Sequence, residues 1–156
     1  MKILITYYSR TNITKKVAEK IQKNLDCDIE EIIDLKNRSG LLGWIKSLLD
    51  GIKQRPTNIK QLKKSPSDYD LVIIGTPIWA DTMTSAVLTY LQENKEKFKD
   101  VSYFCTCRSS GYDETFGKME EITGKKGVGT LALTKKDLDT SFDSKIRSYT
   151  EKIKQT

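Results

Sequence analysis

Histidine is absent from all 156 residues, and that absence removes more chemistry than any residue present supplies. No Ser-His-Asp triad, Cys-His dyad, His-ligated zinc site or imidazole pH switch can be built from this chain. The three cysteines, Cys27, Cys105 and Cys107, show neither CxxC nor zinc-ligand spacing and read as reduced, partly buried thiols. What remains is hydroxyls, backbone amides, aromatic rings and cations, and three short segments concentrate them.

The first segment, Ser9-Arg10-Thr11-Asn12-Ile13-Thr14, places three hydroxyls and successive N–H groups just before an amphipathic run. A phosphate wants many donors and gains from the positive end of a helix dipole. Simple N-capping by Thr11 or Thr14 is the plain alternative. The second, Thr76-Pro77-Ile78-Trp79-Ala80-Asp81, puts an indole just past an apolar run, where it could stack on a flat heteroaromatic ring or simply pack. The third, Thr106-Cys107-Arg108-Ser109-Ser110-Gly111-Tyr112, combines small residues, free amides, a cation and a second aromatic, although a plain strand-to-helix turn would look similar. Other loop chemistries fail. Neither GxxxxGK[ST] nor GxGxxG occurs, so there is no NTPase or dinucleotide fingerprint. A phosphoacceptor site would need carboxylates where Thr6, Tyr7 and Tyr8 stand, and neither Cys105 nor Cys107 has the Arg partner of a cysteine phosphatase loop.

Elements must bring these segments together. KILITYY (residues 2–8) reads as a doubly buried strand. Ile13, Val17, Ile21 and Leu25 mark an amphipathic helix, and DIEEIID (28–34) a more polar strand. Leu41, Leu42, Ile45, Leu48, Leu49 and Ile52 form the stripe of a second helix, followed by an irregular connection over 53–68. DLVIIGT (70–76) is the strongest strand signal and is expected to end at Pro77. A helix through Met83, Ala86, Val87, Tyr90 and Leu91 follows, then a strand over 101–107. Next come a helix capped by Asp113, a strand over 128–133 and one closing helix through Leu138, Phe142, Ile146, Tyr149 and Ile153. This strict βα alternation predicts an α/β fold, a doubly wound parallel sheet of five strands with helices on both faces. Such sheets bind ligands beyond the carboxyl ends of their strands. All three segments fall there, and together they point to a phosphorylated flat-ring cofactor.

The length fits one domain spanning 1–156. No run approaches the ~20 apolar residues of a membrane span, and the N-terminus lacks a signal-peptide core, so a cytoplasmic protein is expected. The formal charge of +6 sits mostly in the first half. Its Lys residues have helix-exterior spacing without an aromatic-basic stripe, which favours a solvated surface over nucleic-acid binding.

The segments ILITYYSRTNITKKVAEKI, DYDLVIIGTPIWADTMTSAVLTYL and YFCTCRSSGYDETFGKMEEI make the chain resemble a short-chain, FMN-binding member of the flavodoxin-like family. The resemblance covers almost the whole chain, most loosely at 36–66 and after 135. It implies the strand order 2-1-3-4-5 and FMN as cofactor. Ser9, Arg10, Thr11, Asn12, Ile13 and Thr14 match the family's phosphate loop. Thr76, Pro77, Ile78, Trp79 and Ala80 match the loop beside the isoalloxazine, with Trp79 at the stacking position. Thr106, Cys107, Arg108, Ser109, Gly111 and Tyr112 match the loop at the pyrimidine edge, with Tyr112 as a second ring wall.

Three residues depart from the family pattern: Asn12, Asp81 and Arg108 stand where glycine is usual. Asn tolerates left-handed φ better than most residues. A carboxylate at Asp81 would disfavour an anionic reduced flavin, and a guanidinium at Arg108 would favour it. With a positive chain in a family that is typically acidic, a less negative potential is expected. The implied function is electron transfer with redox partner proteins or a small-molecule acceptor, by a monomer or homodimer with no nucleic acid or membrane partner. The alternatives are an FMN-dependent NAD(P)H:quinone (or other small acceptor) oxidoreductase and a cofactor-free interaction domain.

Overall fold

A computed structural model describes residues 1–35 and 56–156. The helix expected over 41–52 and the start of the connection after it lie outside the described residues. Strands are β1 (Ile3–Tyr7), β2 (Asp28–Glu31), β3 (Leu71–Trp79), β4 (Thr82–Met83), β5 (Asp100–Cys107) and β6 (Thr130–Thr134). Helices are α1 (Ile13–Leu25), α2 (Ser85–Asn94), α3 (Tyr112–Thr123), α4 (Lys135–Thr140) and α5 (Phe142–Lys154).

The main sheet is parallel and ordered β2-β1-β3-β5-β6, which is the expected 2-1-3-4-5 order once the two-residue β4 is set aside. Side chains alternate across it, as the two-residue strand period demands. Ile3, Ile5 and Tyr7 join Leu71, Ile73, Phe104, Leu131 and Leu133 beneath Val17, Ala18 and Ile21 of α1 and Ile146, Tyr149 and Ile153 of α5. Leu4, Val72, Ile74, Tyr103 and Cys105 face Ala86, Val87, Tyr90 and Leu91 of α2 and Phe116 and Met119 of α3. Burying each such aliphatic or aromatic side chain contributes roughly 1.5–3 kcal/mol. Gly75 at the sheet centre leaves room for the Phe104 ring, which a Cβ would overlap.

Four expectations are corrected. Pro77 does not end β3, which continues to Trp79. β1 stops at Tyr7 opposite Gly75, so by Pro77 one neighbouring strand has gone, and the ring's fixed φ suits extended backbone. β2 stops at Glu31, because Tyr7↔Glu31 is the last pair β1 can offer. Met83 belongs not to a helix but to β4, which pairs with Ile78 in a hairpin. The closing helix is two helices. Ser141 (φ −140°) breaks it, while the hydroxyl of Thr134 and the carboxylate of Asp137 form a reciprocal capping box that starts α4 separately.

Candidate functional site

The loop after β1 turns into α1 through Asn12, which adopts φ 64°, ψ 2°. The residue standing in for the family's usual glycine therefore takes the left-handed conformation that glycine would. Its side chain makes no cap bond, and no acidic residue lies in the first turn of α1. The first amides of any helix lack intrahelical acceptors. Here the Lys15 N–H donates to Ser9 Oγ at 3.2 Å and the Lys16 N–H to the Asn12 carbonyl at 3.0 Å. The N–H groups of Ile13 and Thr14 stand at the open, positive end of the helix dipole. Arg10, Thr11, Asn12 and Ile13 are exposed. Ile13, expected to open the buried stripe, is 44% exposed, because the stripe begins only at Thr14 and Val17.

Thr14 is buried, and its Oγ1 lies 2.8 Å from Thr106 Oγ1. That contact ties the first loop to the end of β5. Thr76 is also turned inward: its hydroxyl donates to the Pro77 carbonyl at 2.9 Å and accepts the Thr84 N–H at 3.2 Å. Thr76 thus shapes the second loop from beneath.

Trp79 pairs with Thr82 across a two-residue turn, Ala80-Asp81, with φ 50° and 57°. Two successive positive φ values match the mirror-image turns that tight hairpins prefer, normally built from Asn-Gly or Asp-Gly. Ala at such a position is strained, and strain of this kind concentrates where a side chain must be held in place. The turn leaves Trp79 half-buried. The Tyr8 ring stands perpendicular to it at 5.8 Å between centroids, and the Arg10 guanidinium carbon lies over the indole at 5.8 Å. Beyond the turn, Thr82 Oγ1, Thr84 Oγ1 and Ser85 Oγ are buried hydroxyls with no hydrogen-bond partner among the described residues.

The third loop leaves β5 through Cys107, with Arg108, Ser109 and Ser110 exposed. Cys105 stays a thiol, held up by its hydrogen bond with Cys107 and by burial. Gly111 enters α3 with φ 85°, and a Cβ there would come within 2.7 Å of Asp81 Oδ1 and 2.9 Å of Asp81 Cα. Gly111, not Asp113, is therefore the N-cap of α3. Asp113 and Glu114 lie in the first turn, and Tyr112 is half-buried.

The structure thus gathers the three predicted segments at one sheet edge, where Thr14 meets Thr106, Arg10 lies over Trp79 and Asp81 adjoins Gly111. Sequence reasoning missed Tyr8 as a neighbour of Trp79. Its place at the end of an apolar strand was the available signal. The left-handed Ala80-Asp81 turn carried no signal at all. The donor set suits a phosphate: amides at an acid-free helix start, the Ser9 and Thr11 hydroxyls, and nearby Lys15 and Lys16. The half-buried indole suits a flat ring.

The sequence profile of the flavodoxin family matches residues 2–138. The chain belongs to the flavodoxin family. Among solved structures, this flavodoxin-family chain is similar to a flavoprotein from Lactobacillus acidophilus determined in complex with FMN. They share 25% identity over 88% of this chain and 96% of that one, with a TM-score of 0.75. It is also similar to a candidate flavoprotein from Bacteroides eggerthii, at 25% identity over 96% of each chain and a TM-score of 0.77. Oxidised flavodoxin 1 from Bacillus cereus shares the fold, at 17% identity over 100% and 99% of the two chains and a TM-score of 0.58. No curated protein sequence matches the chain. Among the described residues no helix is long and apolar enough to cross a membrane.

Proposed function

We propose that this flavodoxin-family chain is a cytoplasmic FMN protein that carries electrons between redox partners. The observation carrying the reading is the meeting of three loops at one sheet edge, where an acid-free helix start adjoins a half-buried indole. Ser9, Thr11 and the amides of Asn12, Ile13 and Thr14 would hold the phosphate. Trp79 and Tyr112 would flank the ring system, and the backbone from Arg108 to Gly111 would meet its polar edge. Thr14, Thr76 and Thr106 hold the loops in register from below. Bound FMN supplies one- and two-electron transfer, so a chain without histidine needs no acid-base residue of its own.

The test is an absorbance and fluorescence titration of the purified protein with FMN. A perturbed flavin spectrum and micromolar or tighter binding are expected. Trp79→Ala should weaken binding at least tenfold, because an aromatic stacking pair is worth roughly 0.5–1.5 kcal/mol beyond the area it buries. An unperturbed spectrum at saturating FMN refutes the proposal. Rapid NADPH oxidation with a quinone acceptor would instead assign the chain to the NAD(P)H-dependent reductases.

A further inference from the structure

The two outermost strands of the sheet are guarded differently. β2 reads Asp28-Ile29-Glu30-Glu31, with carboxylates at three of its four positions. Its Glu30 carboxylate accepts the Lys63 and Lys64 N–H groups at 2.7 and 2.9 Å, so the segment before β3 lies along that side. Charged side chains and covering segments are how sheets keep foreign strands from pairing. β6, on the opposite side, is Thr130-Leu131-Ala132-Leu133-Thr134, without a charge or a proline, and it pairs with β5 alone. The Tyr103 N–H donates to the Gly129 carbonyl at 3.1 Å. Backbone groups alternate sides along a strand, so Leu131 and Leu133 also turn to β5 while Thr130, Ala132 and Thr134 turn outward. The Thr134 N–H donates to the Asp137 carboxylate at 2.9 Å, which closes that end. Thr130 and Ala132 have no backbone partner on the outer side among the described residues. A groove of about 400 Å³ runs beside them, bounded by Tyr112 of α3 and by Lys145, Ser148 and Lys152 of α5. Lys145 is paired with Asp137 at 2.9 Å, whereas the exposed Lys152 has no ion pair among the described residues.

We propose that the outer side of β6 is a docking edge for a partner protein, which adds an extended, carboxylate-bearing segment to the sheet. The segment's main chain bonds to Thr130 and Ala132, and a carboxylate on it meets Lys152. Strand addition of this kind takes its affinity from main-chain hydrogen bonds and its selectivity from the flanking side chains. Charge decides between this occupant and a second copy of the chain. Two β6 strands paired about a two-fold axis would set two α5 helices side by side, with Lys145 and Lys152 of each against those of the other, and like charges so placed repel. An acidic segment meets the same lysines favourably. The docking edge stands apart from the flavin reading, which enters only through Tyr112, the residue proposed to wall the ring and one boundary of this groove.

The probes are two acetylated peptides, one of alternating valine and glutamate and one of alternating valine and lysine, titrated into the full chain without added flavin and followed by the backbone amide NMR signals. The glutamate peptide should bind at millimolar concentration or below and move the Thr130 and Ala132 amides first, and the lysine peptide should bind more weakly. Ala132→Pro removes an outward donor and no bond to β5, a change that edge strands tolerate. It should weaken the glutamate peptide about fivefold or more, the size of one backbone hydrogen bond. Lys152→Glu, at an exposed position, should weaken it about threefold and reverse the preference between the two peptides. If Ala132→Pro does not fold, as read by circular dichroism, Lys152→Glu and the wild-type amide shifts decide. Unmoved Thr130 and Ala132 amides at saturating peptide overturn the proposal, as do equal affinities for the two peptides or wild-type binding by folded Ala132→Pro or Lys152→Glu. A wild-type dimer in sedimentation that Ala132→Pro dissociates also overturns it, by assigning the edge to a second copy. Failure of the FMN titration would leave each of these outcomes unchanged.

Discussion

Two helices start at the rim of this sheet with the same backbone device and opposite electrostatics. Asn12 (φ 64°, ψ 2°) opens α1 and Gly111 (φ 85°, ψ 2°) opens α3, and neither supplies a side-chain cap. The first turn of α1 contains no acidic residue, whereas that of α3 contains Asp113 and Glu114. A helix start is electropositive by construction. The chain places two carboxylates of its own at the start of α3 and none at the start of α1. Left-handed entry thus serves tight loop packing at α3, whereas at α1 it leaves an exposed turn that suits the anion site proposed above.

The packing role of Gly111 is the harsher constraint. Gly111→Ala would place a methyl against Asp81 in a left-handed conformation, and should lower unfolding stability by about 2–3 kcal/mol in denaturant melts. Adding Asp81→Gly should recover part of that loss, which shows that the second and third loops are coupled through this contact. Arg108→Gly removes the exposed cation of the third loop. If Arg108 stabilises reduced flavin by ~1–2 kcal/mol, its removal makes the one-electron potential more negative by roughly 40–90 mV. An unchanged or less negative potential in a redox titration refutes that role.

Lys15→Glu imposes the α3 pattern on α1. It should weaken FMN about fivefold while leaving the free protein equally or slightly more stable, since a carboxylate in a first turn gains roughly 0.3–1 kcal/mol from the dipole. Unweakened FMN binding would show that α1 is not the anion site. The smallest effect is expected for Asn12→Gly, within about 0.5 kcal/mol of wild type, because the native φ already suits glycine and only unfolded-state entropy changes. A large loss there would mean that the Asn12 side chain is needed.

Much of this was legible in the sequence because it rests on local periodicity. The doubly buried strands, the βα alternation and the three rim segments follow from runs such as ILITY and LVIIGT. The left-handed Asn12 was legible because few other residues accept that conformation. The β3–β4 hairpin was not. Ala80-Asp81 lacks the Asn-Gly signature, and Pro77 read as a terminator because losing β1 beside it is a tertiary fact. The break at Ser141 was hidden for a similar reason: Leu138 and Phe142 keep helical spacing across it, while Asp137 binds the Ser141 hydroxyl. The pairing of Thr14 with Thr106 joins residues 92 positions apart, a distance no local pattern spans.

That threonine pair also bears on how the rim is held together. The two hydroxyls lie 2.8 Å apart and either can be the donor, so each gives the other a hydrogen-bond partner inside the fold. Both residues are buried, so this bond is shielded from water. The first loop is thereby fastened to the end of β5 by side chains alone, across 92 positions of sequence.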